Sequence, residues 1–368
     1  MPQSSHLPLP TDLQEVTSDW LTAALQRHDP DAVVTDFETV KVMHSTTTKV
    51  WLKLQLNDAA RRSGIPENVV LKGGFEPQSR TLAQMHWREV IGYRDIMGPL
   101  GLPSPKFWFA DWDEDRAQGI IIMEDLSDRG VTFCNALHPH THEQVRRRLS
   151  ELARFHAQSW GGPGSGRFEP PKTWGELPEF FEVMQPFVDD KSSEQNWERF
   201  LAMPRGASVS KVFKDRDWLL RSWTDLKRFS LQQPQCILHG DVHLGNLFID
   251  QDGTPGFFDT LASWGPGLME VTYHVSAALD IADRRKCEGA LVQHYLDELA
   301  RNGVSPPHYE EAMRQYAIFL LYGHFIWMTT EPMWQTESVN TANTARVSAA
   351  MIDHDTIGQY RSLRSALR

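Results

Sequence analysis

The residues 236–260, CILHGDVHLGNLFIDQDGTPGFFDT, hold most of the chain's usable chemistry. The apolar run Cys236-Ile237-Leu238 predicts a short buried strand, and His239-Gly240-Asp241 then sets a carboxylate on the turn at its end. Asn246 follows five residues on. Leu247 to Ile249 and Gly256 to Phe258 read as the arms of a hairpin about Asp252-Gly253, a register in which Asn246 and Asp259 emerge side by side. Two carboxylates and an amide oxygen are thereby gathered at one sheet rim. Hard oxygen donors of this kind suit Mg²⁺, which keeps its waters and is shared with substrate phosphates. Phosphoryl transfer uses such a set: one carboxylate orients or deprotonates the attacking hydroxyl, while the other and the amide hold metal on the nucleotide. A lysine for the phosphates is also required, and Lys72 supplies it.

The elements that must position these groups are legible upstream. In KVWLKLQL, residues 49–56, Val50, Leu52, Leu54 and Leu56 alternate with Trp51, Lys53 and Gln55, the period of a half-buried strand. Phe37 to Met43 is its expected partner across the hydroxyl-rich connection HSTTT, and Asn68 to Leu71 is a third strand ending in Lys72 before Gly73 and Gly74. Leu82 to Met97 turns helical, with Leu82, Met85, Tyr93 and Ile96 on one stripe that also carries Glu89. A carboxylate there is costly to bury without a cation, for which Lys72 is the nearest candidate; alternatively Glu89 faces solvent and the buried face runs through Trp87, Val90 and Ile91. Lys106 to Ala110 and Gly119 to Met123 make a further antiparallel pair. Beyond Glu124-Asp125-Leu126 the chain becomes mainly helical, over 143–160, 269–300 and 309–328, with 161–235 an irregular insertion of short helices.

Composition narrows the class. A chain of 368 residues with 40% hydrophobic residues can bury two lobes, and a net charge of -11 argues against a nucleic-acid or anionic-membrane binder. Three cysteines, Cys134, Cys236 and Cys287, exclude a disulfide framework and a Cys-rich zinc site. The N-terminus lacks a signal-like apolar core, and the most apolar stretch, Ala317 to Met328, is too short to span a bilayer, so a cytoplasmic protein is expected.

HGDVHLGN followed by an Asp after a short hairpin, with a strand Lys and a helix Glu upstream, resembles the aminoglycoside phosphotransferase and choline kinase-like group of small-molecule kinases, over about residues 37 to 280. IIMEDLSDRG, FHAQSW and EVIGYRDI look most like the branch that includes ecdysteroid kinases. The resemblance implies an α+β, bilobal protein-kinase-like fold: an N-terminal nucleotide-binding lobe at 1–125, with a small antiparallel sheet and one helix, and a helical lobe at 126–368. The latter holds the catalytic loop at 236–260 and an acceptor-binding insertion at about 161–235. It further implies ATP in the cleft between lobes, Asp241 as catalytic base, Asn246 and Asp259 as Mg²⁺ ligands, Lys72 on the phosphates with Glu89 as its ion-pair partner, and a hinge at Met123, Glu124 and Asp125 meeting adenine.

Three features depart from the group's pattern. HSTTT has no glycine, so backbone N–H groups and the hydroxyls of Ser45, Thr46 and Thr47 must cover the phosphates. Thr260 stands where Trp is common, and Glu270 where Asp is common. Among 13 tryptophans, Trp160, Trp174, Trp197, Trp218 and Trp223 are either walls of an aromatic acceptor pocket or core. Trp264, Tyr273, His324 and Trp327 are further candidates for the acceptor wall. Asp189, Asp190 and Glu194 are a possible patch for a cationic substrate, but the sequence gives them no placement near the base, which favours a neutral, ring-bearing or apolar alcohol as acceptor. Two other readings stand: a non-catalytic nucleotide-binding protein of the same fold, motivated by the glycine-free turn, and a metal hydrolase using His239, Asp241 and His243. GGPGSG at 161–166 follows a helix and reads as a loop.

Overall fold

A computed structural model describes residues 7–45, 47–77, 79–171 and 177–366. The chain forms two compact units. The first runs to Val131, apart from Leu100–Leu102, and takes in the later segment Phe258–Leu261; the second holds the rest.

In chain order the first unit carries α1 (Ser18–Leu25), β1 (Val34–Met43), β2 (Thr48–Leu56), α2 (Asp58–Arg62), β3 (Asn68–Gly73), α3 (Ala83–Ile91), β4 (Phe107–Asp113) and β5 (Gln118–Glu124). The strands form one antiparallel sheet in the order β1-β2-β3-β5-β4. The alternation in β2 decides its faces. Val50, Leu52, Leu54 and Leu56 join Val69, Leu71, Ile120 and Ile122 in a core closed by Trp20, Leu21, Ala24 and Leu25 of α1. Residues of the other parity, Lys49 among them, therefore lie on the opposite face. There α3 packs on β5, close enough that a Cβ on Gly119 would meet Val90 Cγ2 at 3.0 Å.

The helix expected over 82–97 has that extent but not one form. A 3₁₀ turn at Ser79–Leu82 leads into α3, and the helix continues through Gly92–Met97 in the wider π geometry. Gly92, at the start of that segment, passes so close to Thr260 that a Cβ there would lie 2.2 Å from Thr260 Cγ2. Both readings of the buried face hold in part, since Glu89, Val90, Ile91, Tyr93 and Ile96 are all buried.

The second unit comprises β6 (Thr132–Phe133), α4 (His142–Gln158), α5 (Phe180–Lys191), α6 (Glu194–Ala202), α7 (Pro204–Ala207), α8 (Arg216–Ser230), β7 (Gln235–Leu238), β8 (Leu247–Ile249), β9 (Pro255–Phe257), β10 (Ser263–Pro266), α9 (Gly267–Ala278), α10 (Ile281–Arg301), α11 (Tyr309–Thr329), α12 (Glu337–Asp353) and α13 (Thr356–Ala366). The apolar stretch 317–328 lies in α11, which is buried on nearly every side, packs on α9 and α12, and is the spine of this unit. Among the described residues no helix is long and apolar enough to cross a membrane.

Three expectations are corrected. The insertion at 161–235 is more regular than its composition suggests, because Glu179, Ser193 and Asp215 cap α5, α6 and the 15-residue α8. The stretch 269–300 is two helices, separated where Asp280 caps α10. In the hairpin, Leu247 pairs with Phe257 and Ile249 with Pro255, one residue out of the expected register. Gly253, at φ 84°, widens the turn: its N–H donates to Asp250 O at 2.9 Å, and the Asp250 N–H donates to Thr254 O at 2.8 Å. Asp259 thus stands beyond the ladder and turns out of it in a left-handed conformation, φ 57°.

Candidate active site

In the second unit, the loop after β7 is fixed from beneath. The buried Glu270 carboxylate on α9 accepts the backbone N–H groups of His239, at 3.2 Å, and Gly240. It also meets His156 Nε2 at 2.9 Å, and His156 Nδ1 meets Tyr295 OH at 2.9 Å. His274 Nδ1 donates to the Val242 carbonyl at 3.0 Å, and burial keeps that imidazole neutral, its pKa pushed well below the ordinary value. So anchored, the loop presents the Asp241 carboxylate to three side chains. Asn246 Nδ2 donates to Oδ2 at 2.9 Å, Tyr273 OH donates to Oδ1 at 3.4 Å, and His243 Nε2 lies 3.5 Å from Oδ2. His243 Nδ1 accepts the Gly245 N–H at 2.9 Å, so the proton of its neutral ring sits on Nε2, facing Asp241. Burial, and then the Asp241 charge, push the Tyr273 phenol well above its usual range, which keeps it a donor. Since Asn246 spends its amide N–H on Asp241, its carbonyl oxygen is the group it can offer a metal.

In the first unit, Lys72 on β3 is buried and ion-paired with Glu89 of α3. Its Nζ also lies 2.8 Å from Asp259 Oδ1. Lys49 Nζ lies 2.8 Å from Asp259 Oδ2, so one carboxylate bridges two ammonium groups. Burial alone would lower the Lys72 pKa, but the Asp259 and Glu89 charges raise it above the ordinary value. Burial pushes the Glu89 carboxyl up, and Lys72 pulls against it. At Asp259 burial also acts upward, yet Lys49 and Lys72 together hold the group well below the usual carboxylate range. The backbone here is pinned as well: the Asp259 N–H donates to Tyr93 OH at 3.3 Å, and Arg88 donates to the Leu261 carbonyl at 3.4 Å.

The other expected site residues divide. Ser45 Oγ donates to the Thr47 carbonyl at 2.7 Å, Thr47 is buried, and Thr46 lies outside the described residues. Met123 pairs with Val70, while Glu124 accepts the Lys106 N–H and Arg129, and Asp125 accepts the Ser127 N–H, which shapes the chain leaving β5. Of the acceptor candidates, Tyr273 adjoins Asp241, and Trp327 stacks on Tyr273 with centroids 5.9 Å apart and takes the His243 ring on edge at 5.4 Å. Trp264 is engaged in β10 opposite Ile237, and His324 faces the Phe213 carbonyl at 3.3 Å. Trp160, Trp197, Trp218 and Trp223 are core, and Trp174 lies outside the described residues.

Sequence reasoning missed Lys49, Glu76 and the Glu270-His156-Tyr295 chain. Lys49 had a signal: it shares strand parity with Trp51 and ends β2 at the hydroxyl-rich turn. Glu76 accepts from Thr48 Oγ1 at 2.5 Å and meets His44 Nδ1 at 2.7 Å, tying that turn to the loop after β3; nothing local marked it. The hydrolase reading fails on geometry. His239 Nδ1 takes the Asp241 N–H and His243 Nδ1 the Gly245 N–H, and among the described residues no group of three or more His, Cys, Asp or Glu is placed to hold a metal.

The chain is 25% identical over 245 residues to methylthioribose kinase of Geobacillus thermodenitrificans (strain NG80-2), a match covering 64% of this chain and 54% of that protein. It thus spans just over half the length of that relative. Its fold is similar to that of choline kinase from Cryptosporidium parvum Iowa II, at TM-score 0.51 and 11% identity, covering 90% of each chain. It is also similar to amicoumacin kinase hAmiN solved with AMP-PNP, Ca²⁺ and Ami, at TM-score 0.50 and 13% identity, covering 87% of this chain and 90% of that one. At such identities these likenesses establish a kinase-like fold. Residues 68–304, from the start of β3 to just beyond α10, match the phosphotransferase enzyme family, and the chain belongs to it.

Proposed function

We propose that this protein transfers the terminal phosphoryl group of ATP to a hydroxyl of a small molecule, with Asp241 as the catalytic base. The observation that carries this reading is the Lys72 ammonium held between Glu89 and Asp259, a buried and immobilised cation of the kind that phosphoryl transfer requires. Family membership supports it. In this reading Asp241 accepts the proton of the acceptor hydroxyl. Asn246 keeps that carboxylate in one orientation through its Nδ2. Lys72 neutralises phosphate charge, and the backbone and hydroxyls around Ser45, Thr46 and Thr47 cover the phosphates. The backbone at Met123, Glu124 and Asp125 meets adenine.

The donors fit a divalent cation. Asp259 offers carboxylate oxygens and Asn246 an amide oxygen, the hard ligands that Mg²⁺ takes beside nucleotide phosphates. These residues would be its ligands, and the bound metal would supply charge neutralisation on the transferring group.

The acceptor is a neutral, ring-bearing or apolar alcohol, with Tyr273 and Trp327 as its aromatic wall beside Asp241. Trp264 and His324 are not part of that wall in this reading. The test is ADP release from Mg-ATP across a panel of sterols, phenols, amino alcohols, sugars, methylthioribose and aminoglycosides. Acceptor-dependent ADP release with formation of a phosphate ester supports the proposal. ATP binding with no turnover on any alcohol, whatever its class, counts against it.

A further inference from the structure

Lys49 and Lys72 face each other directly across β2 and β3. Two like charges in that position repel unless a carboxylate joins them. Asp259 does so, with one oxygen on each ammonium at 2.8 Å, and Glu89 adds a second negative charge through Lys72. Two ammonium groups thus balance two carboxylates, and the cluster is formally neutral. The lysines are not equivalent, however. The Lys72 side chain is 5% exposed and held by both carboxylates, whereas that of Lys49 is 24% exposed and, among the described residues, ion-paired with Asp259 alone, its Nζ 5.6 Å from the Phe258 ring centroid. If one cation is to leave Asp259, it is Lys49.

We propose that Lys49 is a tethered cation that occupies Asp259 in the nucleotide-free protein and yields it only to a divalent cation arriving with nucleotide phosphates. Metal is therefore loaded as the metal–nucleotide complex, not as a free ion. The inference rests on the reading of Asp259 as a metal ligand. Its cause is charge balance. A bare divalent cation added to a neutral cluster stands beside two ammonium groups with nothing to offset it. A metal carried by a triphosphate brings net negative charge, and the displaced Lys49 ammonium then has phosphate oxygens to meet. Removing the Lys49 charge should accordingly act in opposite directions on the two forms of the metal. That sign reversal is specific to a competitor; a lysine serving only to bind phosphate would weaken the complex and leave free-metal affinity alone.

The experiment is Mn²⁺ binding to the whole chain, followed by the electron paramagnetic resonance of free Mn²⁺, with and without AMP-PNP, in wild type, Lys49→Gln, Lys49→Arg and Asp259→Asn. Thermal melts confirm that each variant is folded. The proposal expects Lys49→Gln to bind Mn²⁺ alone about tenfold more tightly than wild type and Mn–AMP-PNP more weakly, with Lys49→Arg behaving as wild type toward Mn²⁺ alone. Unchanged or weaker binding of Mn²⁺ alone in Lys49→Gln overturns it, as does tighter binding in Lys49→Arg, which keeps the charge. Undiminished Mn–AMP-PNP binding in Asp259→Asn overturns instead the reading of Asp259 on which the proposal stands.

Discussion

At the scale of residues, the carboxylates of the candidate site differ in their partners. Asp241 accepts hydrogen bonds from the amide of Asn246 and the hydroxyl of Tyr273, whereas Asp259 meets two ammonium groups. The donors on Asp241 are unequal. Asn246 Nδ2 bonds at 2.9 Å, but Tyr273 OH reaches only 3.4 Å. Removing that hydroxyl should therefore cost less than about 1 kcal/mol, so Tyr273→Phe is expected to slow kcat by under about fivefold. Tyr273→Ala, which also removes the ring stacked on Trp327, should raise the KM for acceptor more than it lowers kcat. Steady-state kinetics of the two variants check this, and equal effects on KM would show that the ring does not contact acceptor. The Lys72–Glu89 pair was legible because a carboxylate on a buried helical stripe needs a cation, whereas setting Asn246 beside Asp259 relied on a hairpin register that is one residue out. Lys49 was not legible, because its importance depends on cross-strand register with Lys72 and on a carboxylate far along the chain.

At the scale of elements, the helix carrying Glu89 shows what periodicity can and cannot supply. Its extent follows from the spacing of apolar residues, which left open whether Glu89 is buried. Its widening into π geometry from Gly92 does not follow from it, and neither does the close approach of Thr260, whose Cγ2 lies 2.2 Å from where a Cβ on Gly92 would stand. Gly92→Ala should destabilise the protein by about 1–3 kcal/mol, the range for overpacking a filled site. Thr260→Ser in the same chain removes the offending methyl and should restore part of that loss. Urea unfolding of the single and double variants measures the coupling, and strict additivity would contradict the contact. The hairpin after Asn246 was likewise foreseen as an element but misread by one residue. Its turn chemistry admits both a two-residue and a three-residue loop, and only Gly253 in its left-handed conformation selects the latter.

At the scale of the whole molecule, both units bury histidines that cannot charge cheaply. His86 lies near Lys72 in the first unit and His324 faces the Phe213 carbonyl in the second; burial, reinforced at His86 by the Lys72 charge, brings each down to about 4. Unfolded, they take up protons near 6.5. Between those limits the unfolded chain binds more protons, so stability present above pH 6.5 is lost as pH falls toward 4, by roughly 1.4 kcal/mol per pH unit for each group. Urea midpoints at pH 7.5, 6 and 5 should fall in that order, with a shallower fall in His324→Gln; a flat profile would contradict it. The change in periodicity after Asp125 was legible, while the regular helices of 161–235 were obscured by seven prolines and depend on caps and burial. The central claim is the role of Asp241 as the base of phosphoryl transfer. Its most direct test is single-turnover transfer from Mg-ATP to an active alcohol by wild type and Asp241→Asn, with nucleotide affinity measured beside it. Turnover reduced by about 10²–10⁴-fold at unchanged ATP affinity and melting temperature is the predicted result. Near-wild-type turnover in Asp241→Asn would contradict the assignment of Asp241 as the base.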